Sequence, residues 1–203
     1  MSARAGLIGE IAVGFVVAAA LWLATYYLLP PIDGMTGTLA RLVFALKCGC
    51  VAVLFCFVLG IEAIAHERLR SPAVDPLAGY ETRRMAINLH YLQNTLEQLL
   101  LFLPGLFGLA YYCDSGAAMR AVVATTLVWI LGRFAFWIGY HQGALHRGAG
   151  APSMMIGMAM LLYVGARFGY ESAGWPGAVV VLALFFAGEV ILVLTTKPLL
   201  PRS

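Results

Sequence analysis

Two stretches of this chain place ionisable, amide and aromatic side chains within otherwise apolar sequence. The first runs over residues 90–98, and the second runs over residues 132–142 and is followed closely by Arg147. An ionisable group in a helix that crosses a membrane costs about 2.5–3.5 kcal/mol on insertion scales, so each one needs a structural or chemical reason. The two stretches are therefore candidates either for contacts between helices or for binding and catalysis.

The first stretch carries a stripe of polar side chains, His90, Asn94, Glu97 and Gln98. Residues three and four apart lie on one face of a helix, so the four side chains point the same way. One interpretation is a polar clamp, because such side chains hold membrane helices together. The other interpretation is the wall of a polar pocket that opens to the cytoplasm. The stripe alone supports both equally.

The second stretch places Arg133, Trp137 and Tyr140 on one helical face, which Arg147 rejoins if the helix continues. We expect Arg133 to form a buried ion pair with Glu97, because the two segments are antiparallel and both residues fall in the same half of the bilayer. A purely structural alternative is a basic anchor at Arg147 and an aromatic belt at Trp137 and Tyr140.

The composition determines which elements hold these residues. Hydrophobic residues make up 62% of the 203 residues and charged residues 11%, against about 45–50% and about 25% in soluble domains. So few charges exclude an ordinary soluble enzyme, and a formal net charge of +3 is too small for a nucleic-acid binder. We predict an all-α polytopic membrane bundle, because helices satisfy their own backbone groups in lipid.

Six apolar segments approach or exceed the roughly 20 residues that a membrane helix needs. They cover residues 7–29, 40–65, 88–112, 117–141, 150–170 and 175–196. With the N-terminus inside, eight basic residues fall on the inner side and three on the outer side. Because basic residues favour cytoplasmic loops, both termini are predicted to be cytoplasmic. Residues 1–203 leave no room for a second, soluble domain.

Three motifs together resemble the MAPEG family, the membrane-associated proteins of eicosanoid and glutathione metabolism. They are QNTLEQ at 93–98, GRFAFWIGY at 132–140 and RGAG at 147–150. The similarity is closest to the uncharacterised bacterial branch and covers roughly residues 40–170. It implies a four-helix core in a homotrimer, in a bacterial inner membrane. Segments 7–29 and 175–196 would be additional spans that pack around this core.

The resemblance also implies that glutathione binds as co-substrate in a cytoplasm-facing cleft between subunits. Arg147 matches the family's catalytic arginine, which stabilises the glutathione thiolate. The residues expected to contact glutathione are Asn94, Glu97, Tyr140, His90, Gln98, Arg133 and Arg70. For the basic residue after the first core helix, Arg68 is an alternative to Arg70. The chain departs from better-studied members, which carry arginine or tyrosine where it has His90, Phe136, Gln98 and Gln142.

The motifs and polar residues suggest three alternative functions. The first is a membrane-bound glutathione transferase or peroxidase that acts on lipophilic electrophiles or membrane lipid hydroperoxides. The second is a non-catalytic lipid-binding or accessory subunit of a membrane complex. The third is a metal site, suggested by the i,i+4 pair Glu62 and His66, but no histidine box accompanies this pair and no metal is expected. The four cysteines are interpreted as small apolar fillers.

Overall fold

The computed structural model describes residues 3–75, 77, 79–143 and 146–196. This part of the chain is helical and contains no β-strand, which confirms the all-α prediction. The helices are α1 (Ala3–Leu28), α2 (Thr38–Ala52), α3 (Leu59–Leu69), α4 (Arg83–Tyr112), α5 (Arg120–Gln142) and α6 (Ala151–Thr195). Short 3-10 turns lie at Pro72–Val74 and His146–Gly150.

Helices α2 and α3 form one continuous rod, because a π-helical stretch at Val53–Val58 joins them. The hydroxyl of the fully buried Tyr91 on α4 donates to the carbonyl of Cys56 within this stretch, at 2.9 Å. Single π-helical turns inside α-helices are frequently found at functional sites. Here the π-helical stretch lets a backbone carbonyl accept a hydrogen bond from a neighbouring helix, which fixes α4 against the rod.

Helix α4 begins at Arg83, directly after Thr82 and five residues before the predicted segment 88–112. The Thr82 hydroxyl accepts from the backbone N–H of Met85 at 3.0 Å, which is the geometry of an N-cap. The same hydroxyl donates to the carboxylate of Glu67 on α3 at 2.8 Å. The cap therefore satisfies a free N–H of α4 and also ties the loop between α3 and α4 to α3.

Helix α6 contains a break at Ala173 and Gly174. Gly174 has a φ of 64°, which a residue with a side chain rarely adopts, and Pro176 follows it. Beyond the break the chain folds back, and Gly169 and Gly177 pack so closely that neither position has room for a side chain. The break separates the fifth and sixth predicted segments as expected.

Two compact units make up the chain, residues 1–160 and residues 161–203. The first unit contains α1 to α5 and the start of α6. In its core, Phe102 stacks on Trp129 with the ring centres 4.5 Å apart. Glycines on α2 and α4 permit close packing in this core, Gly49 against Leu103 and Gly105 against Met160. The second unit contains the rest of α6, including its break. The single membrane domain expected for residues 1–203 stays a prediction.

Four helical stretches in the described chain are long and apolar enough to cross a membrane. They are Gly6–Leu28, Thr38–Leu69, Arg120–Gln142 and His146–Thr195. The last stretch contains both arms of the broken α6 and so covers two predicted spans. Helix α4 is not among the four, although it is 30 residues long, because its polar stripe lowers its hydropathy. The total of six spans stays a prediction.

Candidate functional site

A cleft of about 510 Å³ in the first unit brings the two polar stretches together. Volumes of this size are typical of small-molecule sites. Six of the eight predicted site residues line the cleft: His90, Asn94, Glu97, Gln98, Tyr140 and Arg147. The stripe on α4 is therefore a pocket wall, as one of its two interpretations held. It also takes part in a clamp, as the contacts of Asn94 and Gln98 show below.

Arg147 reaches the cleft by a route that the sequence did not indicate. Helix α5 ends at Gln142, so it does not continue to Arg147. Instead the 3-10 turn at His146–Gly150 folds back onto α5, and the guanidinium carbon of Arg147 lies 5.9 Å from the centre of the Tyr140 ring. The Arg147 side chain is exposed in the single chain, so it is accessible to an anionic ligand.

Two glycines permit this return of the chain. Gly139 packs against the His146 carbonyl so closely that a side chain would overlap it. Gly150 packs in the same way against Phe136 on α5. The turn that carries Arg147 thus rests directly on the backbone of α5, which fixes the position of the arginine relative to Tyr140.

Arg133 lies beneath the cleft and is fully buried. Its Nη1 donates to Asn94 Oδ1 at 2.9 Å and its Nη2 donates to Thr95 Oγ1 at 2.8 Å. No ion pair joins Arg133 to Glu97 in the described chain, so the predicted pair is wrong. Glu97 belongs to the cleft wall and accepts instead from Gln93 Nε2 at 3.3 Å. Arg133 is thus bound by neutral acceptors and not by the Glu97 carboxylate.

Aromatic rings complete the surroundings of Arg133. Its guanidinium carbon lies 4.6 Å from the centre of the Phe136 ring and 5.1 Å from that of Tyr91. Cation–π contacts of this kind are worth about 2 kcal/mol or more when desolvated. The rings therefore help to stabilise a buried cation that has no carboxylate partner. Arg133 does not line the cleft, and it supports Asn94 from behind.

A chain of hydrogen bonds connects Asn94 and Gln98 in the cleft wall to Ser153 on α6. Gln98 Nε2 donates to Asn94 Oδ1 at 3.3 Å, and the Ser153 hydroxyl lies 3.1 Å from Gln98 Oε1. Asn94 Oδ1 thus accepts from both Gln98 and Arg133, which leaves its NH₂ group as the donor available to a ligand. Gln98 is engaged at both ends of its amide, and its main role here is to hold Asn94 in place.

A second polar group on α4 was missed by the sequence reasoning. Buried Asn88 accepts from Trp137 Nε1 at 2.9 Å and lies 3.0 Å from His141 Nε2. Trp137 also stacks on Tyr91 at 4.6 Å, so it faces α4 and does not line the cleft with Tyr140. The signal was present in the spacing of Asn88, Tyr91 and Thr95, which marks a second face of α4 beside the stripe.

Several predicted residues lie away from the cleft. Arg70 is exposed at the end of α3, outside the residues that line the cavity of its own chain. Glu62 and His66 are 3.8 Å apart and largely exposed. Among the described residues no group of three or more histidine, cysteine or acidic side chains is placed to hold a metal ion.

The chain's own thiols are separate from this site. Cys113, which follows the last residue of α4, is buried outside the spans, and burial raises the pKa of its thiol to about 11. The guanidinium of Arg41 opposes this rise and Asp114 adds to it. A thiol with this pKa is almost wholly protonated at neutral pH and is a poor nucleophile. A reactive sulfur at the cleft would have to come from a ligand.

Comparison with known proteins identifies the family. A model of the MAPEG family matches residues 41–170, more than half of the chain and nearly all of the cleft. The chain belongs to the MAPEG family. This confirms the resemblance and places the protein among membrane proteins of a glutathione-related family. No solved structure matches the chain.

A curated relative of this MAPEG protein is an uncharacterized protein of Synechocystis sp. (strain ATCC 27184 / PCC 6803 / Kazusa). The two are 44% identical over 73 residues, which cover 36% of this chain and 50% of the relative. The match thus spans about half of the relative's length.

Proposed function

We propose that this MAPEG protein binds glutathione in the cleft and uses its thiolate to modify or reduce a lipophilic substrate. One observation carries the proposal: Arg147 and Tyr140 line the same cavity as Asn94 and Glu97. The charges and donors of that cavity match the tripeptide, and the cavity lies in a protein of membrane-spanning helices.

The polar groups of the cleft correspond to the groups of glutathione, which has an ammonium, two carboxylates and a thiol. The Glu97 carboxylate can accept hydrogen bonds from the ammonium. The Asn94 NH₂ group, held by Arg133 and Gln98, can donate to a carboxylate. The Tyr140 hydroxyl can donate to the sulfur, and Arg147 beside its ring supplies a permanent positive charge.

The chemistry begins with loss of the thiol proton to solvent. A cysteine thiol has a reference pKa of about 8.5, and a nearby guanidinium favours its ionised form. In transfer, the thiolate sulfur forms a bond to an electrophilic carbon while the leaving group departs with its electron pair. In peroxide reduction, two glutathione molecules are oxidised to the disulfide while a hydroperoxide is reduced to an alcohol and water. Both reactions need the thiolate that Arg147 would stabilise.

A membrane protein suits a reaction between one water-soluble substrate and one lipophilic substrate. Glutathione would enter the cleft from the cytoplasm, and the lipophilic substrate would arrive through the bilayer. We further propose that the protein is a homotrimer with both termini in the cytoplasm of a bacterial inner membrane. Arg70, which is exposed and lies away from the cleft of its own chain, is proposed to contribute to the cleft of a neighbouring subunit.

The test is glutathione-dependent turnover of a chlorinated dinitrobenzene by the purified protein in detergent or lipid. Wild type should show turnover, and Arg147→Ala should reduce it about tenfold at neutral pH if the arginine lowers the thiol pKa by one unit. The matched control is Arg83→Ala, which removes an exposed arginine outside the cleft lining and should leave turnover unchanged. Equal rates for wild type and Arg147→Ala would contradict the catalytic role.

A non-catalytic, lipid-binding or accessory role is the second candidate, and one observation favours it. Gln98 is fully engaged with Asn94 and Ser153 and offers little to a ligand. Tight glutathione binding without turnover of any electrophile or hydroperoxide would support this role over the enzyme.

A further inference from the structure

The N-terminal helix α1 lies outside the residues 41–170 that match the family model, yet it forms part of the cleft. Leu7 and Ile11, one helical turn apart on α1, line the cavity and are both half-buried. The expectation that this additional span only surrounds the core is therefore too narrow. It also supplies a wall of the candidate site.

Backbone contacts seat α1 on the turn that carries Arg147. A methyl group at Gly14 would lie 2.9 Å from the carbonyl oxygen of Ala149. A methyl group at Gly148 would lie 3.1 Å from the carbonyl oxygen of Leu7. The first distance is shorter than real side chains show and the second is tighter than most of them, so the small residues permit direct contact between helix and turn. Arg147 is thus adjacent in sequence to a residue that touches Leu7.

Polar contacts fix α1 along its whole length. At the cleft, Glu10 Oε1 and His146 Nδ1 are 2.7 Å apart. Further along, Trp22 Nε1 donates to Thr125 Oγ1 on α5 at 3.0 Å. At the far end, Arg120 donates to the carbonyl of Leu29 at 3.2 Å. A helix held at three levels keeps Leu7 and Ile11 in a constant position relative to the cleft.

The cleft therefore has two chemically different sides. Its polar groups come mainly from α4 and from Tyr140 and Arg147. Its apolar surface comes from Leu7, Ile11, Phe136 and Met154. A ligand that fills the cavity needs a polar part for the first side and an apolar part for the second, with the junction near Arg147.

We propose that α1 is the acceptor-binding wall of this enzyme, with Leu7 and Ile11 as specificity-determining residues. This inference rests on the proposed function and deepens it. The lipophilic substrate, an alkyl or aryl electrophile, lies against Leu7 and Ile11 while glutathione occupies the polar side. Glu10 acts as a positioning residue, because its contact with His146 holds α1 against the turn of Arg147.

The experiment measures binding of glutathione and of its S-methyl, S-butyl and S-hexyl thioethers by calorimetry. These stable compounds carry the tripeptide and an alkyl chain at the sulfur. In wild type, affinity should rise with chain length, by up to about fourfold for each methylene that is fully buried. In Leu7→Ala and Ile11→Ala the gain per methylene should fall to about half of that, while glutathione itself binds as before.

Two further variants make the result specific. Val16→Ala changes an exposed residue of α1 outside the cleft lining and should keep the wild-type dependence on chain length. Ile11→Val keeps most of the apolar surface and should lie between wild type and Ile11→Ala, which guards against misfolding of the larger truncation. Glu10→Gln should weaken S-hexylglutathione severalfold more than it weakens glutathione.

The possible outcomes separate this inference from the proposed function. If wild type binds glutathione but chain length has no effect, or has the same effect in Leu7→Ala and Ile11→Ala as in wild type, α1 is not the acceptor wall and the proposed function stands. If wild type binds neither glutathione nor any thioether, both are overturned. A chain-length effect that only the cleft-facing variants reduce supports the inference.

Discussion

At the scale of single residues, two arginines of the same region have different roles. Arg133 is buried, bound by Asn94 and Thr95 and covered by aromatic rings, so it cannot reach a ligand. Arg147 is exposed at the cleft beside Tyr140. Both were expected at the site from the resemblance to the MAPEG family. Only the contacts distinguish the arginine that stabilises the site from the one available to a substrate.

Arg133→Leu tests the structural role at this scale. The substitution leaves Thr95 and Asn94 without their charged donor, and hydrogen bonds to charged groups contribute about 1.5–3 kcal/mol each. For the two bonds we expect a loss of about 3–6 kcal/mol in stability, measured as a lower midpoint of thermal unfolding in detergent. The control is Lys47→Leu, which removes an exposed lysine in the same apolar setting and should not destabilise the protein. Equal melting of both variants would contradict the buried network.

At the scale of helices, most of the fold follows from local sequence. Hydropathy located the helical segments, because this signal depends only on neighbouring residues. The stripe on α4 followed from helical spacing. The partner of Arg133, the turn at His146–Gly150 and the contribution of α1 could not be predicted. They depend on which faces of distant helices meet, and a single sequence does not state this.

Gly139→Ala tests the turn as an element. An added methyl would overlap the His146 carbonyl and push the turn, with Arg147, away from α5. Overpacking of this kind costs about 1–3 kcal/mol, and glutathione turnover should fall about tenfold as the arginine is displaced. Gly9→Ala is the control, since nothing lies near a methyl there, and alanine favours helix. Unchanged turnover in Gly139→Ala would show that the position of the turn does not matter.

At the scale of the whole molecule, the exposed apolar surface indicates that these helices contact lipid. Side chains such as Val16 at 71% exposure and Leu28 at 82% cover α1, and the second arm of α6 has a similar surface. Such a surface exceeds what water-soluble monomers tolerate. The cleft lies at the end of the first unit where α1 begins, so its orientation decides which compartment supplies the polar substrate.

Orientation is tested by reporter enzymes fused after Ser203 and, separately, inserted in the loop at residue 79. The charge count predicts that both positions are cytoplasmic. A cytoplasmic phosphatase fusion should be inactive and a fluorescent fusion bright at both sites. A fusion after Ser203 that reads as external, with the loop reading as internal, would mean that an odd number of spans, and not the predicted four, lies between the loop and Ser203.

The central claim is that Arg147 stabilises the thiolate of glutathione in the cleft, and the most direct measurement is a pH titration of the bound thiol. The ultraviolet absorbance of the thiolate would be followed in wild type, Arg147→Ala and Arg147→Lys. We predict a thiol pKa below its ordinary value of about 8.5 in wild type, a return towards that value in Arg147→Ala and an intermediate result in Arg147→Lys. The difference between variants in thiolate fraction should disappear at high pH, where the thiol ionises unaided. The same pKa in wild type and Arg147→Ala, with glutathione bound to both, would contradict the account.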